Sequence, residues 1–250
     1  MTGPTDPDAP LADRADPAAP ADHVGRAAGP AAGVGALAAG VAVALLTARA
    51  GPAAADAPSD IAMAQTAAAV ETTVIAAYGQ VGRLAFVQAL TPPAGTTLVA
   101  MLTRTVQHHG DHLTAFNAAA VRLGGRAQSA PDAALTTTVV RPALAAATSA
   151  LDAVTLLAEL ELIAAETYSA MVSAASDPQL RASLASICGV EAQHQAVLLA
   201  IAALLNVNSL ELITFPLDAS TLPATIPSDG TPGAFIRTDQ ARPTSEGSIK

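Results

Sequence analysis

Apolar residues recur at helical spacing along four long stretches of the chain, which are separated by short segments rich in proline and glycine. Each stretch is long enough for a helix of ~40 Å at the usual rise per residue. Because helices of similar length joined in this way pack side by side, the pattern predicts an all-α, antiparallel four-helix bundle. The predicted helices are residues 60–90, 97–123, 146–175 and 179–205.

The ends of these helices coincide with residues that favour or stop helical structure. Asp177 suits the N-cap of the fourth helix, and Pro178 suits its first turn, where no backbone N–H is needed. The pair Gly124-Gly125 stops the second helix. The next segment, with two prolines before residue 146, is predicted to be a loop that crosses to the third helix.

The rest of the chain forms a leader and a tail on either side of the bundle domain, which we place at residues 51–210. Residues 211–250 contain five prolines together with many Ser and Thr residues, so we expect an irregular tail that either drapes over the bundle or stays loose. Residues 1–22 show no periodicity and are predicted to be disordered.

An uncharged segment of 22 residues, 27–48, is long enough to span a bilayer. It ends at Ala48-Arg49-Ala50, the small-x-small pattern of a signal-peptidase site. We therefore interpret residues 1–50 as a leader cleaved near Ala50, which predicts a protein exported to the cell envelope or the medium. Two alternatives stay open: a retained membrane anchor, and a leader that is not exported. The acidic residues before the apolar segment argue against export.

Composition narrows the class of protein further. Apolar residues make up 51% of the chain but aromatic residues only 2%, so the core must consist largely of alanine in closely packed helices. The formal charge of −9, without a cluster of Lys or Arg, makes nucleic-acid binding improbable. The single Cys188 excludes an intrachain disulfide framework and a cysteine-based zinc site, and it is predicted to be a small core residue.

Each predicted helix directs one or two ionisable residues into the core near its midpoint. The same sorting by helix face puts Glu159 and Glu166 on solvent-facing stripes, and also His108 together with Arg104 and Asp111. The inward residues are Glu71 on the first helix, His109 and His112 on the second, Glu161 on the third, and Glu191 and His194 on the fourth.

Three buried glutamates and three buried histidines at one depth would be costly without a cation or a complete hydrogen-bond network. Carboxylate and imidazole groups from facing helices are the ligands by which bundles hold di-iron or di-manganese centres. The spacing Glu191-x-x-His194 brings both groups to one helix face. The alternative interpretation of Glu191 and His194 is a buried ion pair without a metal. His109 fits a metal ligand and a hydrogen-bonded core histidine equally well.

The inward residues also follow an internal repeat. Glu71-x6-Tyr78 on the first helix matches Glu161-x6-Tyr168 on the third. In the same way, the spacing His109-x-x-His112 on the second helix matches Glu191-x-x-His194 on the fourth. Duplicated helical hairpins would place two half-sites across a pseudo-two-fold axis, with the tyrosine hydroxyls tied to nearby carboxylates.

These motifs resemble the ferritin-like superfamily, and more narrowly the exported, alanine-rich ferritin-like proteins of bacteria, some described as desiccation-related. The resemblance covers residues 60–205. Its pattern is Glu, Glu-x-x-His, Glu, Glu-x-x-His, with one element on each helix. All positions of this pattern match except one. His109 stands where the family has a glutamate that bridges two metals. The resemblance therefore implies a metal site of altered nuclearity.

Two functions of different classes follow from these observations. The first is a bundle that holds one or two Fe or Mn ions and reacts with oxygen species or oxidises Fe(II), as a ferroxidase-like oxidoreductase would. The second is a non-catalytic envelope protein that keeps the fold for packing or partner binding. A homo-oligomer is compatible with both, and contact with a membrane is expected only if residues 27–48 are retained.

Overall fold

The computed structural model describes residues 57–214, residues 233–236, Thr238 and Ala241. The predicted leader, residues 1–50, lies outside the described residues, and so does most of the tail. Within the described part of the chain every regular element is helical. The α-helices are α1 (Ala57–Val81), α2 (Ala85–Gln88), α3 (Ala94–Arg122), α4 (Ala133–Leu135), α5 (Arg141–Ala146), α6 (Ala150–Ala174) and α7 (Pro178–Asn206).

The four long helices form the predicted bundle. Helix α1 packs on α3, and α6 packs on α7, while contacts of α1 with α6 and of α3 with α7 join the two hairpins. Neighbouring helices run antiparallel, because Asp60 at the start of α1 accepts a hydrogen bond from Ser176 beyond the end of α6. Likewise Arg122 at the end of α3 pairs with Asp177 at the start of α7. The fold prediction is confirmed.

The helix termini show the predicted local chemistry. The Asp177 side chain accepts a hydrogen bond from the backbone N–H of Leu180 at 2.7 Å, and Pro178 occupies the first turn of α7. Gly124 has φ 92°, a conformation that favours glycine, and lets the Gly125 N–H donate back to Ala120 at 2.8 Å.

Two boundaries differ from the prediction. The first helix ends at Val81 rather than near residue 90, because the chain turns at Gly82 before α2 begins and places Val87 in the core. The predicted loop before the third helix is helical over residues 133–146, including a π-helical stretch, Thr136–Val140. Asp132 caps this segment at the Leu135 N–H, and Pro142 is the second residue of α5, directly after the π-helical stretch.

The core is built as the composition predicts. Ala64, Ala67 and Ala68 on α1 are completely buried, and their small side chains let the neighbouring helices approach closely. The largest side chains of the core, among them Tyr78, Tyr168 and Phe116, are at most 1% exposed. Helix α7 is long and apolar enough to cross a membrane by length and composition alone. Its inward side chains are instead buried against the other helices of the bundle.

Candidate metal centre

The structure brings the six inward ionisable residues together in the core of the bundle. Five of them have no exposed surface, and His194 is 5% exposed. Glu159 and Glu166 on α6, which were predicted to face the solvent, are exposed. The six residues are Glu71 on α1, His109 and His112 on α3, Glu161 on α6, and Glu191 and His194 on α7.

His109 lies at the middle of the cluster, between glutamates of two different helices. Its Nδ1 is 2.7 Å from Oε2 of Glu71, and its Nε2 is 3.2 Å from Oε1 of Glu161. Because a carboxylate only accepts, both hydrogen bonds form together only when each ring nitrogen carries a proton. Burial alone lowers the pKa of His109, but the charges of the surrounding glutamates raise it well above its ordinary value.

The glutamates of the cluster differ in acidity. Burial raises the pKa of each, but His109 reverses this for Glu71 and Glu161, whose pKa values lie below the ordinary value. For Glu191 burial dominates, and the pKa is raised despite the charge of His109, with the charges of Glu71 and Glu161 adding to the increase. Glu191 is therefore the carboxyl group of the cluster that takes up a proton most readily.

Two tyrosines connect the hairpins to the cluster. The hydroxyl of Tyr168 on α6 donates to Oε1 of Glu71 at 2.7 Å, and the hydroxyl of Tyr78 on α1 donates to Oε1 of Glu161. Burial, and then the nearby carboxylates, raise the pKa of both phenols well above the ordinary value, so both remain donors. The predicted ties between tyrosines and carboxylates are confirmed, and they follow the internal repeat.

Glu191 directs one oxygen towards each of the two remaining histidines. Its Oε1 is 2.9 Å from Nδ1 of His112, and its Oε2 is 3.1 Å from Nδ1 of His194. Burial lowers the pKa of these imidazoles, but the adjacent carboxylates outweigh it, raising the pKa of His112 to about 9 and that of His194 above its ordinary value. Both histidines turn Nδ1 to the centre and Nε2 away from it.

Three buried atoms of the cluster have no well-aligned hydrogen bond within the described part of the chain and make only ion-pair contacts. His112 Nδ1 lies 2.9 Å from Glu191 Oε1, and Glu161 Oε2 lies 3.4 Å from His194 Nδ1. A buried polar atom with a poorly aligned hydrogen bond is costly. Carboxylate oxygens and imidazole nitrogens are also ligands for hard and borderline cations. The ligand atoms form two overlapping sets, each within 4.8 Å, that share His109 and Glu191. The residues present therefore fit a metal ion. The two sets are Glu71, His109, His112 and Glu191, and His109, Glu161, Glu191 and His194.

His108 does not lie where the sequence analysis placed it. It is only 7% exposed, and its Nδ1 is 3.1 Å from Nε2 of His194, with the two rings stacked at 5.3 Å. Burial, and then the nearby His194, lower the pKa of His108 to about 4, so it is neutral. The prediction of a solvent-facing His108 is wrong, because this edge of α3 packs against α7. The spacing of four residues between His108 and His112 could have indicated a shared face.

A short piece of the tail also reaches the cluster. The carbonyl oxygen of Ala234 accepts a hydrogen bond from Nε2 of His112 at 2.7 Å, and the ring of Phe235 lies 5.6 Å from the imidazole. This contact could not be predicted from the sequence, because a backbone carbonyl has no side-chain signature.

The fold and the cluster together define a four-helix-bundle protein with carboxylate and imidazole groups buried at one depth. The chain belongs to the ferritin-like domain family, whose model matches residues 59–204. This range contains all six cluster residues and confirms the resemblance to the ferritin-like superfamily. No curated protein and no solved structure matches the chain.

Proposed function

We propose that this protein is an exported ferritin-like bundle that binds one or two Fe or Mn ions in the buried cluster. The observation that carries the proposal is the pair of overlapping sets of buried carboxylate and imidazole ligand atoms, each within 4.8 Å, whose residues include three atoms without a well-aligned hydrogen bond in the described chain. Apolar groups of the same shape would fill this space at lower cost, so their presence favours a ligand-binding role.

The donor set favours a hard or borderline cation. It consists of carboxylate oxygens and imidazole nitrogens, which suit Fe, Mn or Zn. Cys188 is outside both sets, and its thiol contacts the Ala165 carbonyl at 3.3 Å. When bound, Fe or Mn would supply one-electron chemistry with oxygen species. The chain itself positions the carboxylates through the Tyr78 and Tyr168 hydroxyls and keeps water out by burial.

The identity of residue 109 determines how many metal ions we expect each chain to bind. The family pattern has a bridging carboxylate at this position, whereas an imidazole presents two nitrogens on opposite sides of one ring. The remaining shared residue, Glu191, gives one bridging group instead of two. We therefore expect one firmly held ion, at most weak occupancy by a second, and slow or absent ferroxidase activity.

Metal analysis of the purified full chain tests this function. Wild type should retain close to one Fe or Mn per chain, and Glu161→Gln should lose it. Glu159→Gln is the matched control, because Glu159 is exposed on the same helix two residues earlier. A wild-type protein that binds neither ion would contradict the proposal.

A second function has one specific observation in its favour. His109 already donates to carboxylates of α1 and α6, so a protonated His109 satisfies part of the cluster without any metal. In that case the protein is a non-catalytic envelope protein whose polar core is structural. Glu161→Gln would then lower stability while leaving metal content unchanged at zero.

A further inference from the structure

Residues Gly233–Ile236 lie against α3 and α7 beside the cluster, outside the range that matches the family. This segment makes one hydrogen bond with each of the two helices. Ala234 accepts from Nε2 of His112 at 2.7 Å, and the N–H of Ile236 donates to Oγ of Ser186 on α7 at 2.9 Å. The Ile236 side chain covers Gly189, where an added Cβ would come within 3.0 Å of it.

The contact with Ala234 determines which nitrogen of His112 is free to bind. A carbonyl oxygen can only accept, so Nε2 of His112 must carry the hydrogen. In the neutral ring the lone pair is then on Nδ1, which lies 2.9 Å from Oε1 of Glu191, within the ligand set to which both residues belong. Partners of this kind orient histidine ligands and commonly change metal affinity by about 10- to 100-fold.

We propose that residues 233–236 form a cap on the metal centre, that Ala234 positions His112 for metal binding, and that docking of the cap and metal binding reinforce each other. This inference rests on the proposed function. It applies to one half of the centre only, since Nε2 of His194 faces His108 of α3 instead of the tail. The cap therefore makes the two half-sites unequal.

Gly189→Leu in the full chain tests the proposal. The new side chain would displace Ile236, while leucine favours the helix more than glycine does, so the fold should be retained. Ser186→Ala removes the acceptor of the Ile236 N–H and gives a milder second variant. The matched control is Gly110→Leu, because no atom lies within 4 Å of a Cβ at Gly110.

The first readout is titration with Co²⁺ followed by its visible absorption bands. We expect Gly189→Leu to weaken Co²⁺ binding about 10-fold or more and to alter the bands. We expect Ser186→Ala to have a smaller effect and Gly110→Leu none. Equal affinity and equal bands in all four proteins would overturn the cap and leave the proposed function standing. Absence of Co²⁺, Fe²⁺ and Mn²⁺ binding in wild type as well would overturn both.

The second readout is cleavage by trypsin after Arg237, which requires the residues just before it to leave the bundle. Because coupling between two binding events is reciprocal, Mn²⁺ should slow this cleavage in wild type and have no effect in Gly189→Leu. In metal-free protein the cleavage should already be faster in Gly189→Leu than in wild type and Gly110→Leu. Identical cleavage in all three proteins, with or without Mn²⁺, would overturn the proposal.

Discussion

The hydroxyl of Tyr168 donates to Glu71 across the interface between α6 and α1, at 2.7 Å and without access to solvent. Tyr78 and Glu161 make the reciprocal contact from α1 to α6. Each hairpin therefore satisfies a carboxylate of the other, and the cluster contributes to the association of the two hairpins as well as to any ligand site.

Replacing Tyr168 by Phe removes this donor and preserves the ring, which packs 5.1 Å from Phe116. Leaving a buried acceptor without its partner should destabilise the fold by about 1–3 kcal/mol. Urea unfolding of metal-free protein measures the change, and Tyr78→Phe should give a similar value because of the repeat. No loss of stability in either variant would show that water replaces the hydroxyl.

His108→Ala should cost clearly more than substitution of a surface residue, since His108 is buried against His194. We expect a loss of about 1–3 kcal/mol from the lost packing and the unpaired His194 nitrogen. Asp111→Ala on the exposed side of α3 is the control and should stay within about 0.5 kcal/mol of wild type. Thermal unfolding of the two variants measures the difference in stability. Equal losses of stability would contradict the buried position of His108.

His109→Glu restores the family pattern and at the same time removes the positive charge of the protonated His109 from the middle of the cluster. Metal-free protein should lose several kcal/mol, because breaking a buried ion pair costs about 3–5 kcal/mol. If the remaining residues are ligands, Fe or Mn should then bind towards two ions per chain and recover the stability. Metal analysis and melting with and without Mn²⁺ measure both effects. Lost stability without any metal binding would favour the structural function.

Asp152 gives the fold a pH dependence away from the centre. It accepts hydrogen bonds from the Thr148 and Ser149 backbones in the capping box of α6, and these lower its pKa. A carboxyl group whose pKa is lower in the folded than in the unfolded state stabilises the fold at pH values above its unfolded pKa. This stabilisation is lost as the pH falls through the pKa of the folded state. Asp152→Ala should cost a few tenths of a kcal/mol, and no more than about 1 kcal/mol, at pH 7, because the carboxylate is exposed to solvent. Urea unfolding should show this difference shrinking below about pH 4, and a constant difference would contradict the role.

The export proposal predicts a mature N-terminus at or near Gly51. Protein isolated from the native host and analysed by N-terminal sequencing tests it directly. Full-length protein in the membrane would favour the anchor, and full-length protein in the cytosol would contradict export.

The sequence was sufficient for the bundle and for the inward faces, because both depend on helical periodicity. Glu71 and Glu161 could be assigned since they are rare acids on apolar faces, and Glu159 could be excluded by the same rule. His108 was misplaced because its environment depends on how closely α3 approaches α7, which periodicity within one helix does not determine. Ala234 was not predictable, since it acts through its backbone and is far from His112 in the sequence.

The family match ends at residue 204, but the contacts that complete the fold continue past it. Ile213 is 1% exposed, so the core extends beyond α7, and Ala234 contacts the cluster from still further along the chain. The range of the family match and the extent of the packed core thus have different boundaries. A protein shortened to residues 59–204 would keep every residue of the ferritin-like pattern and would lose both the buried Ile213 and the hydrogen bond from His112 to Ala234.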